Sequence, residues 1–193
     1  MIIQHHPSEE TLLGYAGGAL PGPLASVVAM HFEVCLACRA ELSLWEKVGG
    51  AFLEAMAPAE MTSNALERIF ARLGEPVREP AEKKSRERWI GPGIWYTPLV
   101  HDKDQGTRLY RLRARAGTKL PTHGHDGREL TYVLTGEIAD GDRRYGPGDF
   151  LEADATHEHE PRVSGDTECV CVIGSEGPPR IPGIAGLLLR AFF

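Results

Sequence analysis

No stretch of this chain approaches the ~20 consecutive apolar residues that a membrane-spanning helix needs, so the protein is expected to stay out of the bilayer. The N-terminus lacks the basic-then-apolar pattern of a secretion signal, which makes a cytoplasmic protein the expectation. Cysteine is scarce, with four in 193 residues. In a reducing compartment so few thiols point to metal binding rather than to a disulfide framework. Basic residues are short in the first 75 positions, where nine Glu stand against four Lys and Arg, a net of −5 out of −6 for the whole chain. Such a surface repels phosphate, which argues against direct nucleic-acid contact by this half and suits a partner with a basic face.

Against these absences stands one dense run of ligand-type side chains, His31-Phe-Glu-Val-Cys35-Leu-Ala-Cys38. Offsets of zero, four and seven put the imidazole and both thiols on one helical face, and they can meet one ion if the backbone tightens between Cys35 and Cys38. Tetrahedral zinc needs a fourth ligand, and the extreme N-terminus offers His5 and His6.

Around this run the pattern is helical. Ser8 is an N-cap with Glu9 and Glu10 in the first turn, and Gly17-Gly18 ends that helix. Pro23 opens a second helix running to about Val34, and a third spans Ala37 to about Ala57 with an apolar stripe of Trp45, Val48, Phe52 and Met56. Thr62 or Ser63 caps a fourth, whose stripe is Leu66, Ile69, Phe70 and Leu73. Three helices and a bare fourth make a thin core, for which a structural metal is a usual remedy. The stretch 76–88, with two prolines and hardly any apolar content, reads as a linker.

From Trp89 the texture is β. Short runs at Ile94–Val100, Arg108–Ala114, Glu129–Ile138, Phe150–Glu152 and Glu168–Ile173 are separated by Gly, Pro and Asp turns, as in an antiparallel barrel or jelly roll. The apolar tail 184–193 is a helix or a closing strand. The expected fold is therefore multidomain α plus all-β, with a zinc-stapled helical unit over residues 1–75, a linker over 76–88 and a β-barrel domain over 89–193. Within the barrel, His123 and His125 share a face if they share a strand, and Glu129 opens the next strand to meet them. His157 or His159 completes a set of three His and one Glu, which suits zinc, manganese, iron, nickel or copper.

Gly117, with five intervening residues before His123-x-His125, three more before Glu129 and six before Gly136, reproduces the first cupin motif in full. Pro147-Gly148-Asp149 and His159-Glu-Pro161 resemble the second, although the customary terminal Asn is missing. The helical half, with a distant His and His-x3-Cys-x2-Cys, resembles the zinc-binding anti-sigma domain of bacterial regulators, and the two halves together resemble the ChrR-type anti-sigma factors. That resemblance implies zinc on His6, His31, Cys35 and Cys38, and a second ion, also zinc, on His123, His125, Glu129 and His159. It further implies capture of an extracytoplasmic-function sigma factor by the helical domain. The cupin domain would be needed for release under oxidative stress of the singlet-oxygen type.

Leu66, Ile69, Phe70 and Leu73 would then face the sigma factor, unless they close the helical core themselves. The competing function is a cupin metalloenzyme, a dioxygenase or isomerase with an accessory zinc domain. No other dedicated base or nucleophile marks the sequence, and Glu129 is committed to the metal, so a transcription regulator without catalytic residues is the preferred reading. Cys169 and Cys171, at offset two on a strand, read as buried small hydrophobes rather than a redox pair. Trp89 and Trp95 are expected to pack the barrel.

Overall fold

The computed structural model describes residues 3–73, 85–183 and 186, leaving most of the apolar tail outside the described residues. Four helices come first: α1 (Glu9–Ala16), α2 (Gly22–Val34), α3 (Leu36–Ala55) and α4 (Ala65–Leu73). The Ser8 hydroxyl accepts the Thr11 amide at the head of α1, with Glu9 and Glu10 beside the helix dipole. Pro23 lies in the first turn of α2, where its missing N–H costs nothing. Cys35, in extended conformation, separates α2 from α3, and its sulfur accepts the Cys38 amide at 3.5 Å. No helix among the described residues is long and apolar enough to cross a membrane.

Nine strands follow: β1 (Arg88–Gly91), β2 (Ile94–Asp102), β3 (Thr107–Ala114), β4 (Glu129–Thr135), β5 (Ile138–Asp140), β6 (Arg143–Tyr145), β7 (Phe150–Ala153), β8 (Arg162–Val163) and β9 (Cys169–Glu176). They form a six-stranded sheet ordered β1-β2-β3-β9-β4-β7 and a three-stranded sheet ordered β6-β5-β8, all antiparallel. The run Glu129–Ile138, expected as one strand, is split between the two sheets at Gly136, whose φ of 75° belongs to the left-handed region.

The six-stranded sheet is buried on its inner face and, over β9, β4, β7 and part of β3, on its outer face as well. Tyr110, Leu112, Val133, Cys171 and Ile173 point into the barrel. Their neighbours Leu109, Tyr132 and Val172 point outward and join Leu130 and Phe150 in a second core with Leu12, Leu24, Val27, Val28 and Phe32 of the helices. The thin core expected of the helical unit is thus completed by the sheet, with α2 as the element in between. Approach is closest at Gly174, where a Cβ would stand 2.8 Å from the Pro23 carbonyl oxygen and 3.0 Å from Val27.

The stripe expected to bury α3 does so only near its start. Val48, Phe52 and Met56 are exposed. Trp89 does not pack the barrel either: it is 61% exposed, while Trp95 lies under the guanidinium groups of Arg113 and Arg115.

Candidate metal centres

Helix, strand and turn meet at the first cluster. His31 sits in the last turn of α2, Cys35 in the break and Cys38 in the first turn of α3. The N-terminal segment supplies His6, because Asp149 takes the Gln4 and His5 amides on one carboxylate oxygen at 2.7 and 3.0 Å. The His5 carbonyl then accepts the Phe150 amide at 3.1 Å. His6 Nδ1 lies 3.4 Å from Cys35 Sγ and 3.3 Å from Cys38 Sγ, and one ligand atom from each of His6, His31, Cys35 and Cys38 lies within 4.8 Å of the others. His5, the alternative donor, instead packs its ring on Tyr145 with centroids 4.4 Å apart.

The donor set fits zinc on an observation at His31. Its Nδ1 is 2.9 Å from the Gly148 carbonyl, which can only accept, so Nδ1 carries the proton and Nε2 presents a lone pair. That Nε2 is buried and without a hydrogen-bond partner, an expensive state for a polar atom unless a cation meets it. Burial lowers the His31 pKa, keeping the ring neutral as a ligand must be. Burial and the neighbouring Cys35 push the Cys38 thiol up to about 12, so without a cation its thiolate is not held. Two thiolates and two imidazoles are a structural zinc set.

The second cluster lies inside the barrel. An isolated bridge pairs His123 with His159, and β4 begins with Glu129. His159 Nε2 is 3.1 Å from His123 Nε2 and 3.2 Å from His125 Nε2, and His125 Nδ1 is 3.5 Å from Glu129 Oε2. His123 Nδ1 faces the Pro121 carbonyl at 2.9 Å and His159 Nδ1 faces Asp140 at 3.0 Å. Each of these acceptors fixes the proton on Nδ1 and leaves Nε2 bare, so two lone pairs point at each other until a cation lies between them. Burial pulls the pKa of His123 down to about 4, and burial with the charge of His123 pulls His125 to about 3, so both are neutral at pH 7. Burial raises Glu129 to about 7, against the opposing hydrogen bond from the Tyr110 hydroxyl at 3.1 Å. These groups fit a divalent ion, which would act there as a Lewis acid.

His157, the rival of His159, is exposed, and its Nε2 bonds Asp140 at 3.1 Å. The Gly148 and Pro121 carbonyls and Asp140, which orient candidate ligand rings, and Asp149, which holds the backbone before His6, carry no ligand spacing in the sequence. For Asp149 the signal is the Pro-Gly-Asp turn, whose carboxylate is free to accept amides from another segment. Cys169 and Cys171 are buried with sulfurs 3.6 Å apart, inside the barrel core. Leu66, Ile69, Phe70 and Leu73 form one face of α4 and are between 54% and 74% exposed.

Residues 82–177 match the ChrR cupin-like domain family. The chain is 31% identical to the anti-sigma-E factor ChrR of Cereibacter sphaeroides over 213 aligned positions, covering 100% of this chain and 99% of that protein. It also superposes on the crystal structure of Rhodobacter sphaeroides SigE in complex with the anti-sigma ChrR. The TM-score there is 0.78 at 32% identity, over 90% of this chain and 100% of the matched one. Likeness over the full length, through helices and barrel in the same order, means that the protein belongs to the ChrR family of anti-sigma factors, regulators rather than enzymes.

Proposed function

We propose that this chain holds an extracytoplasmic-function sigma factor inactive in the cytoplasm and releases it under oxidative stress of the singlet-oxygen type. The helical unit over residues 1–75 is the clamp, residues 76–88 the connection and the cupin domain over 89–193 the part needed for release. One zinc ion on His6, His31, Cys35 and Cys38 staples the clamp, and a second on His123, His125, Glu129 and His159 loads the barrel. Neither membrane nor direct nucleic-acid contact is needed.

The observation that carries this reading is the apolar surface left uncovered along α3 and α4. Phe52, Leu53 and Met56, then Leu66, Ile69, Phe70 and Leu73, are all exposed within an acidic unit. Isolated exposed apolar residues are ordinary, but two consecutive helices that bare their apolar faces mark a protein interface. The family's sigma partner, as in the SigE–ChrR complex, supplies the occupant.

The test is co-expression of the full chain with an extracytoplasmic-function sigma factor encoded beside it. Capture of the sigma factor is expected. Leu66→Glu combined with Phe70→Glu should weaken it by about 100-fold or more, at roughly 1–2 kcal/mol for each buried anchor. Metal content and melting temperature should stay put. If the double variant loses its metal or its fold, α4 closes the protein's own core and the interface assignment fails.

A further inference from the structure

Inside the barrel lies a cavity of about 650 Å³, within the usual range of small-molecule sites. Its walls are apolar: Ile94, Leu112, Ile138, Leu151 and Ile173 line the interior, all buried. Trp89 and Ile90 of β1, with Leu120, Pro179 and Ile181, also line it, and none of these five is fully buried. The polar side chains in the lining are His123, Glu129 and His159 of the metal cluster, with Tyr110, Thr131 and Lys119. Lys119 is the lining cation, and its ammonium is paired with Glu160 at 3.3 Å.

We propose that this cavity is a binding site for an amphiphilic monoanion, an apolar chain that ends in a carboxylate. The inference rests on the metal reading of the barrel cluster given above. Three neutral imidazoles and one carboxylate around a divalent ion leave one positive charge facing apolar walls. The Asp140 carboxylate offsets that charge only from behind His159, outside the cavity. A charge with no counter-ion on the apolar side is costly, and a single carboxylate there cancels it. A neutral head leaves the charge standing, and an ammonium head adds to it. The chain behind the head replaces water against the apolar walls, to which β1 contributes Ile90. Because β1 follows the connection from α4, an occupant of the cavity touches the strand through which the barrel is joined to the clamp.

The experiment uses the full-length chain with its zinc content measured first, and decanoate as the probe. Calorimetry should show one decanoate per chain, bound about tenfold or more tighter than decan-1-ol or decylammonium. Ile181→Trp and Leu120→Trp, which narrow the cavity, should each lower affinity by about tenfold or more without loss of zinc. His123→Ala, which empties the barrel of its ion, should abolish the preference for the anion. A chain with no ion in the barrel overturns the metal reading, and the decanoate site goes with it. A fully loaded chain that ignores decanoate, or binds the alcohol equally well, overturns the cavity proposal alone.

Discussion

A histidine ring has two nitrogens, and in both clusters the nitrogen turned away from the ligand set determines what the other can do. Gly148 fixes the proton on His31 Nδ1, Pro121 does so on His123 and Asp140 on His159, so in these three Nε2 is a ready donor. The two sites nevertheless meet protons differently. In the barrel His123 and His125, at about 4 and about 3, are neutral at pH 6 and above, so an incoming ion displaces no proton from them. Glu129, raised to about 7, holds a proton below that value and not above it. Barrel affinity should therefore climb about tenfold per pH unit up to about pH 7 and then level off. Cys38, at about 12, carries a proton throughout that range, so affinity at the N-terminal site should keep climbing well past neutrality. Competition with a chromophoric chelator checks this, using Cys35→Ser with Cys38→Ser to isolate the barrel and His123→Ala with His125→Ala to isolate the clamp. A barrel affinity that rises as steeply above about pH 8 as below it would remove Glu129 from the ligand set.

Among the elements, α2 does the most joining, because its Leu24, Val27 and Val28 are buried against the outer face of the sheet. Burying each such side chain is worth roughly 1.5–3 kcal/mol, and the helix can approach so closely only because residue 174 has no side chain. Gly174→Ala should push α2 outward and cost about 1–3 kcal/mol, read as a lower melting temperature. An unchanged melt would mean that α2 does not seat on β9 as described. Much of the element plan is legible in the sequence, because its signals are local. Ser8, Pro23 and Gly17-Gly18 bound helices through their own backbone chemistry, and the offsets of His31, Cys35 and Cys38 survive the break at Cys35. What covers each apolar face is not legible. Periodicity gives apolar stripes to α3 and α4, yet the second half of α3 and all of the α4 stripe are bare, while α2 is covered. His5 and His6 are likewise adjacent and equivalent in sequence. Their roles diverge because Asp149, about 140 residues away, grips the amides of Gln4 and His5 and Phe150 bonds the His5 carbonyl.

At the scale of the whole molecule the N-terminal cluster belongs to both halves. His31 rests on the Gly148 carbonyl, and the segment carrying His6 is held by Asp149 and continues to Ser8, whose amide bonds Glu152 at 2.9 Å. An ion that draws His6 and His31 together therefore also presses the N-terminal segment onto the turn before β7, so clamp and barrel share an anchor as well as a core. Without the ion the segment keeps its hydrogen bonds to that turn and to Glu152, each worth about 1 kcal/mol net, and the packing of Ile3 and the His5 ring, a weaker hold on a chain end against its conformational entropy. Replacing Cys35 and Cys38 with Ser should therefore speed hydrogen exchange at the Gln4 and His5 amides, and at Phe150, whose amide bonds His5. Amides in the β3–β9 ladder should exchange at the rate of the unaltered chain, because their partners lie wholly within the sheet. Uniform acceleration across both sets would show that the metal stabilises the fold globally instead of fastening one half to the other. If neither set changes, the turn holds the N-terminus by itself, and a signal in the barrel would then reach the clamp through the core that α2 shares with the sheet or along the connection between α4 and β1.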